Sequence, residues 1–412
     1  MENKTIDNFF INFSLLLITF IMIARTYIFR FTNSNTLSLA FLLLAILFLF
    51  LVIIKNKKMN RQKFLFLILC IFILLPFFYK NAYFQDKKYI GALYYIFAIF
   101  YSILFSFSSA TKKNFEFLLK LLILFSFITS FVTWISFINP NFYIAKFIPL
   151  LPVEYRNSVI KMFLYHNAYA GLTDNYSRNA FFVVLGVFGE MYFFRKEQKR
   201  NIVYILFFLL TLFLIGKRGH LLFLILSFII LYFVYNNVGI KSILKFSIII
   251  VLSALFLLLS INNIPGISNV IDRTENSNGD ISTGRFELYE KAIYFYKNNG
   301  DKPIGWNQFS KKTNYTFVGV HNDYLQIFVE TGIFGFFLIV GSNIYILKKA
   351  ILYLKRTKNK LSCVVLIYNL FFLLYSLTGT PHYGFENYMI YFIFNAFLFI
   401  EIYKINQNRR LL

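Results

Sequence analysis

Three features of the sequence predict an all-α, polytopic membrane protein with about twelve transmembrane helices. Apolar runs of roughly 17 to 25 residues, the span of a bilayer core, recur along the chain. Lysine and arginine gather in alternate short connections between those runs. One long segment, 263–325, is polar and partly helical in pattern, is punctuated by proline and glycine, and mixes acids with bases.

Composition sets the class. Over 412 residues the chain is 58% apolar and 21% aromatic, with a mean hydropathy of +0.63, which excludes an ordinary soluble domain. Backbone groups in lipid need internal partners, so the apolar runs must be helices. The 56 phenylalanines are read as packing and lipid-facing bulk. A net charge of +24 raises nucleic acid as a partner, but the cations sit in short inter-helix connections, where they act as an orientation signal. No nucleic-acid partner is expected. Both cysteines, Cys70 and Cys363, fall inside apolar runs, so neither disulfide nor metal chemistry is expected. The first apolar run lacks a small-residue cleavage site and is followed by others, which predicts a first span rather than a signal peptide.

In order, the predicted spans are 9–24, 38–54, 64–79, 89–107, 115–138, 179–194, 202–215, 221–235, 243–262, 326–347, 361–378 and 387–402. Basic clusters at 55–63, 112–113, 195–200, 241–245, 348–360 and 404–410 fall on one side of this order. The positive-inside rule makes that side cytoplasmic, together with both termini. The outer face then receives the 139–178 loop, the tight 216–220 turn, the long 263–325 loop and the short 379–387 loop. It also receives Arg25, Arg30, Lys80, Lys87 and Lys88, so the charge bias is incomplete. With no internal repeat and no low-complexity tail, residues 1–412 read as a single integral membrane domain, and 263–325 as the extracytoplasmic loop carrying the site residues. The 139–178 loop reads either as an amphipathic cover at the interface or as a plain ordered loop.

Three constellations carry chemistry. The first is Gly216-Lys217-Arg218-Gly219-His220, a hairpin turn between two apolar runs. It places cations where positive charge is normally avoided, and an arginine fork suits phosphate oxygens. The competing reading is a basic residue snorkelling at a helix end. The second is Thr283-Gly284-Arg285-Phe286, which opens a helix over 286–298. There Phe286, Tyr289, Ala292, Ile293 and Tyr296 form an apolar face, and Asn298-Asn299-Gly300 supplies the stop. Arg285 sits at the positive end of that helix, where anions bind; alternatively it pairs with Glu287 or Glu290. The third is His321-Asn322-Asp323, leading into a span on which Asp323, Gln326 and Glu330 share one face. Ionisable groups entering a membrane default to a functional reading, and His321 beside them has the ordinary chemistry of a general base.

His166, His382 and Glu386 are further candidates, and Glu190 reads as a carboxylate snorkelling to the cytoplasmic side. No Walker loop, dinucleotide fingerprint, zinc spacing or nucleophile elbow is present, so neither a cofactor nor a metal is expected. An activated substrate delivered to the outer face would supply the driving force.

Together, GKRGHLLFLIL at 216–226, the D-R-x(10)-G-R-x(3)-Y-x(2)-A-x(10)-P-I-G pattern from Asp272 to Gly305, and HNDYLQIFVETGIFG at 321–335 resemble the O-antigen ligase and O-antigen polymerase superfamily. The similar order and spacing run from about residue 180 to 335. Earlier spans match in hydropathy alone. Tyr289 stands where that superfamily commonly has tryptophan, and Trp306 where a second glycine often follows.

The resemblance implies a GT-C type glycosyltransferase that takes glycan from an undecaprenyl-diphosphate carrier and joins it to an acceptor hydroxyl. The superfamily's catalytic groups map onto Arg218, Arg285 and His321. The two arginines neutralise the diphosphate and the histidine takes the acceptor proton, in a metal-independent inverting displacement. The candidate substrate contacts are Lys217, Arg273, Asn322, Asp323, Glu330 and Arg178. The expected setting is the bacterial cytoplasmic membrane, with the active site on the outer face.

A polymerase of O-antigen or capsule repeat units and a ligase transferring finished polymer to lipid A-core both fit, the polymerase being preferred. A chain-length regulator and a flippase are expected partners, and a neighbouring flippase would favour the polymerase. A flippase reading of this chain fits less well, because related halves and a central cavity charge pattern are missing.

Overall fold

The computed structural model describes residues 2–32, 36–55, 61–166, 168–194, 199–236, 285–313 and 319–408. The expected span 243–262, the basic cluster 241–245 and Arg273 lie outside them, as does the His166 side chain. Among the described residues every regular element is a helix. Eight helices among the described residues are long and apolar enough to cross a membrane, and two shorter apolar helices, 200–215 and 360–375, fall on predicted spans. The protein is therefore an all-α polytopic membrane protein.

The chain forms two compact units. The first comprises Met1–Leu122, Arg285–Tyr353 and Val364–Leu412. Its helices are α1 (Glu2–Thr32), α2 (Thr36–Lys55), α3 (Arg61–Leu74), the short α4 (Ala82–Gln85), α5 (Tyr89–Phe107) and the start of α6 (Lys112–Ile138). Residues 388–400 of the last helix (Phe385–Asn408) are buried throughout, and that helix packs against α3 and α5. α1 lies along α2. Polar staples cross this apolar core: Ser14 Oγ and Tyr101 Oη are 2.9 Å apart, Asn114 donates to Asn12 at 2.8 Å, and Asn369 donates to Asn395 at 2.9 Å. Without water to satisfy them, such groups must find one another.

The second unit comprises Ile123–Gly284 and Leu354–Cys363. It holds the rest of α6, α7 (Pro140–Lys146), α8 (Val153–His166), α9 (Tyr176–Phe193), α10 (Lys199–Ile215) and α11 (Arg218–Asn236). Asn139 caps α7, its side chain accepting the Phe142 amide, with Pro140 pre-set at the first helical position. Asn175 caps α9 through the Ser177 amide at 2.7 Å. Every side chain from 179 to 190 is buried, which is why α9 needs no lipid-length apolar surface. Thr129 donates to Asn179 at 2.8 Å, Asn179 donates to Thr133 at 2.8 Å, and Ser126 donates to the Phe182 carbonyl at 2.6 Å. Gly186 permits this approach of α6, since a Cβ there would stand 2.6 Å from that of Ser126.

Glu190 departs from the expected snorkelling carboxylate. It is 5% exposed and accepts from Asn201 at 2.6 Å. The 139–178 loop contains α7 and α8, with Arg156 closing the turn between them on the Leu151 and Pro149 carbonyls at 2.8 and 2.9 Å.

Candidate functional site

In the first unit, the described part of the long loop is a folded cap rather than a tether. Its first element, α12 (Arg285–Asn298), begins at the predicted arginine and ends before Gly300, whose φ of +67° closes the helix. The buried face is Leu288, Tyr289, Ala292, Phe295 and Tyr296, packed with Ile304, Phe309, Val320, Leu325, Phe328 and Val329. Phe286 and Ile293 are exposed, so the apolar face is rotated from the predicted one by about one residue, toward Leu288 and Phe295. Arg285 is partly exposed at the helix start, the electropositive end. Glu287, one of its expected partners, instead pairs with Lys291 at 2.5 Å.

The Pro303-Ile304-Gly305-Trp306 turn is stitched to the chain on both sides. Ile304 and Gly305 donate to the carbonyls of Val329 and Glu330 at 3.1 and 2.9 Å, and Trp306 exchanges backbone bonds with Tyr79 and Ala82. Gly305 has φ +108°, and a Cβ there would lie 2.5 Å from the Lys80 carbonyl, so only glycine fits. Trp306 is 1% exposed and stacks on Tyr383 with centroids 4.7 Å apart.

Next come α13 (Gln308–Lys312) and, after the described residues 319–322, α14 (Asp323–Thr357). His321 is partly exposed with φ +58°, a left-handed conformation uncommon outside glycine, asparagine and aspartate. Asn322 caps α14, accepting the Leu325 amide at 3.0 Å. The helix bends at Gly332, where φ is +71° and the ring of Pro303 packs against the glycine.

The stripe of Asp323, Gln326 and Glu330 faces the interior, each at 0–1% exposure. Asp323 Oδ2 accepts from His382 Nδ1 at 2.6 Å, from the His382 amide at 3.0 Å and from Ser376 Oγ at 3.2 Å. Glu330 accepts the amides of Asn307 and Phe309 at 2.6 and 3.0 Å, the Tyr383 hydroxyl at 2.6 Å and the Gln326 amide at 3.3 Å. The partner segment is the short connection between α15 (Lys360–Tyr375) and α16 (Phe385–Asn408), which forms a one-turn helix at Pro381–Tyr383. Burial, with Glu330 beside it, pushes the Tyr383 phenol well above its usual range, so it stays a hydrogen-bond donor at physiological pH.

In the second unit, Gly216 turns with φ +72°, and Arg218 opens α11 with its side chain exposed. Lys217 Nζ stands 4.1 Å from the centroid of the Tyr176 ring. His220 is buried at 1% exposure. Arg178, expected as a substrate contact, pairs with Asp174 at 2.6 Å at the start of α9.

The structure thus gathers Arg285, His321, Asn322, Asp323, Glu330 and His382 into the first unit. Asn343, Ser376, Tyr383 and Tyr391 were not singled out by the sequence, and Trp306 only as a departure from the superfamily's pattern. Their signals were available only in part: Tyr383 neighbours the candidate His382, whereas Asn343 and Tyr391 lie within long apolar runs. Among the described residues no group of three or more His, Cys, Asp or Glu side chains is arranged to hold a metal ion.

Residues 202–340, from α10 into α14, match the family model described as O-antigen ligase. No curated protein matches the chain.

Proposed function

We propose that this chain, whose residues 202–340 match the O-antigen ligase family model, is a membrane glycosyltransferase using an undecaprenyl-diphosphate-linked glycan as donor. The observation that carries the reading is His321. The matched segment contains one partly exposed imidazole, held left-handed just before a buried stripe in which the Asp323 and Glu330 carboxylates accept hydrogen bonds from within the protein. Strained backbone conformations persist where the surroundings over-determine them, and they cluster at active sites.

In the proposed reaction His321 takes the proton from the acceptor hydroxyl. The acceptor oxygen bonds to the first carbon of the donor sugar as the bond from that carbon to the diphosphate oxygen breaks. The electron pair leaves on undecaprenyl diphosphate, and the configuration inverts. Arg285, at the positive end of α12, is the cation offered to the developing charge, and Arg218 is the second candidate. Lys217 and Arg273 remain proposed substrate contacts. Asp323 and Glu330, buried against partners within the protein, are better suited to hold the site than to touch substrate, and Asn322 serves as the helix cap.

The preferred reading is a polymerase of O-antigen or capsule repeat units on the outer face of the cytoplasmic membrane, with both termini cytoplasmic. Ligation to lipid A-core is the second reading, favoured by the match to an O-antigen ligase family model. The test is reconstitution in liposomes with a synthetic undecaprenyl-diphosphate oligosaccharide, with and without lipid A-core. A product ladder without lipid A-core supports the polymerase, and product only in its presence supports the ligase. Lipid scrambling without glycan transfer would overturn both and favour a flippase. In the same assay Arg218→Ala is expected to lose product while still inserting in the membrane.

A further inference from the structure

We propose that Asp323 and His382 form a brace that fixes the backbone of His321, making His382 a positioning residue for the transfer reaction. The role in transfer rests on the glycosyltransferase reading; the brace itself rests on geometry alone.

His321 has φ +58°, and the left-handed region costs an ordinary residue roughly 1 to 2 kcal/mol. Something must hold it there. On its amino-terminal side, the Val320 amide donates to Gln326 Oε1 at 3.0 Å. On its carboxy-terminal side, the Asp323 amide donates to the carbonyls of Ser376 and Gly379 at 2.8 and 3.1 Å. The Asp323 carboxylate then grips the same connection from within, through Ser376 Oγ and both the amide and the ring of His382. Tyr324, next along, donates to the Leu373 carbonyl at 2.7 Å.

The imidazole of His382 is itself tied from behind. Nδ1 faces the carboxylate and so carries the proton it donates. Nε2 lies 2.8 Å from Asn343 Nδ2 and accepts from it, and Asn343 Oδ1 accepts the Tyr391 hydroxyl at 3.0 Å. This chain of four side chains fixes one tautomer and one ring orientation. Phe372 packs against the ring in a T-shaped contact, with centroids 4.8 Å apart. His382 is 1% exposed and Asn343 and Tyr391 are 0% exposed, so His382 does not meet substrate. It acts through Asp323 on the residue two positions earlier.

The experiment compares wild type with His382→Ala, His382→Asn and His382→Gln as full-length protein in detergent and in liposomes. Amide hydrogen exchange is read over 319–326, and turnover is expressed per folded molecule. Asparagine carries its amide nitrogen on Cγ, where His382 carries Nδ1, and so keeps the donor to Asp323; glutamine does not. In His382→Ala the amides of Asp323 and Leu325 are expected to exchange about tenfold faster, as for loss of a buried hydrogen bond to a charge. Turnover is expected to fall about tenfold to a hundredfold with KM nearly unchanged, the signature of a misplaced reacting group. His382→Asn should recover both readouts and His382→Gln neither.

Unchanged exchange in His382→Ala would overturn the brace. Faster exchange with undiminished turnover would overturn the positioning role. If wild-type protein transfers no glycan at all, the proposed function fails, while exchange still decides the brace.

Discussion

Tyr383 donates its hydroxyl to Glu330 Oε2 at 2.6 Å, joining the connection after α15 to the helix that begins just after His321. The same carboxylate receives the amides of Asn307 and Phe309. One buried side chain thus ties together three segments far apart in sequence. Tyr383→Phe leaves a buried carboxylate short of a donor, at a cost of about 1.5 to 3 kcal/mol. Glu330→Gln replaces an acceptor of four donors with a group that must also donate, and the cost should be similar or larger. Thermal unfolding in detergent should show both variants melting earlier than wild type, and an unshifted midpoint for Glu330→Gln would show that the latch carries no stability.

The second prediction concerns glycine. Gly332 bends α14 with φ +71°, and Gly305 sits at φ +108° with the Lys80 carbonyl where a side chain would go. Backbone strain of this kind costs roughly 1 to 3 kcal/mol per site. Gly305→Ala adds a steric clash and should be the worse of the two. Gly300→Ala is the control, because its Cβ meets nothing within 4 Å although its φ is +67°. The expected order of loss in melting temperature is Gly305→Ala, then Gly332→Ala, then Gly300→Ala.

The third prediction concerns Arg285. With Glu287 paired to Lys291, the guanidinium has no ion-pair partner among the described residues. Arg285→Ala should therefore leave the melting temperature nearly unchanged, as for other surface positions. Transfer should fall sharply, and Arg285→Lys should restore it only in part, since an ammonium cannot offer a two-pronged fork to a diphosphate. Full activity in Arg285→Ala would remove this residue from the site.

The fold class was legible because bilayer thickness dictates run length, and the runs are long. Element ends were less so. The apolar run read as 9–24 belongs to a helix extending from Glu2 to Thr32, since helical hydrogen bonding does not stop where hydropathy falls. The long polar loop and the arginine opening α12 were visible in composition and spacing. The spacing of Asp323, Gln326 and Glu330 correctly placed them on one helix face. It could not say that the face points inward, because the groups they meet, Ser376, His382 and Tyr383, lie about fifty residues further along. Asn343 and Tyr391 were hidden for a different reason: a single polar residue in an apolar helix looks the same in sequence whether or not it belongs to a network.

The central claim is that His321 is the group that takes the acceptor proton. Replacing it with glycine separates chemistry from folding, because glycine accepts φ +58° without strain while removing the imidazole. The relieved strain and the added unfolded-state freedom nearly cancel, so the melting temperature should hold. The most direct measurement is glycan transfer by reconstituted His321→Gly, normalised to folded protein, from the undecaprenyl-diphosphate donor. The account predicts transfer at background with an unshifted unfolding midpoint. Turnover close to wild type would contradict it.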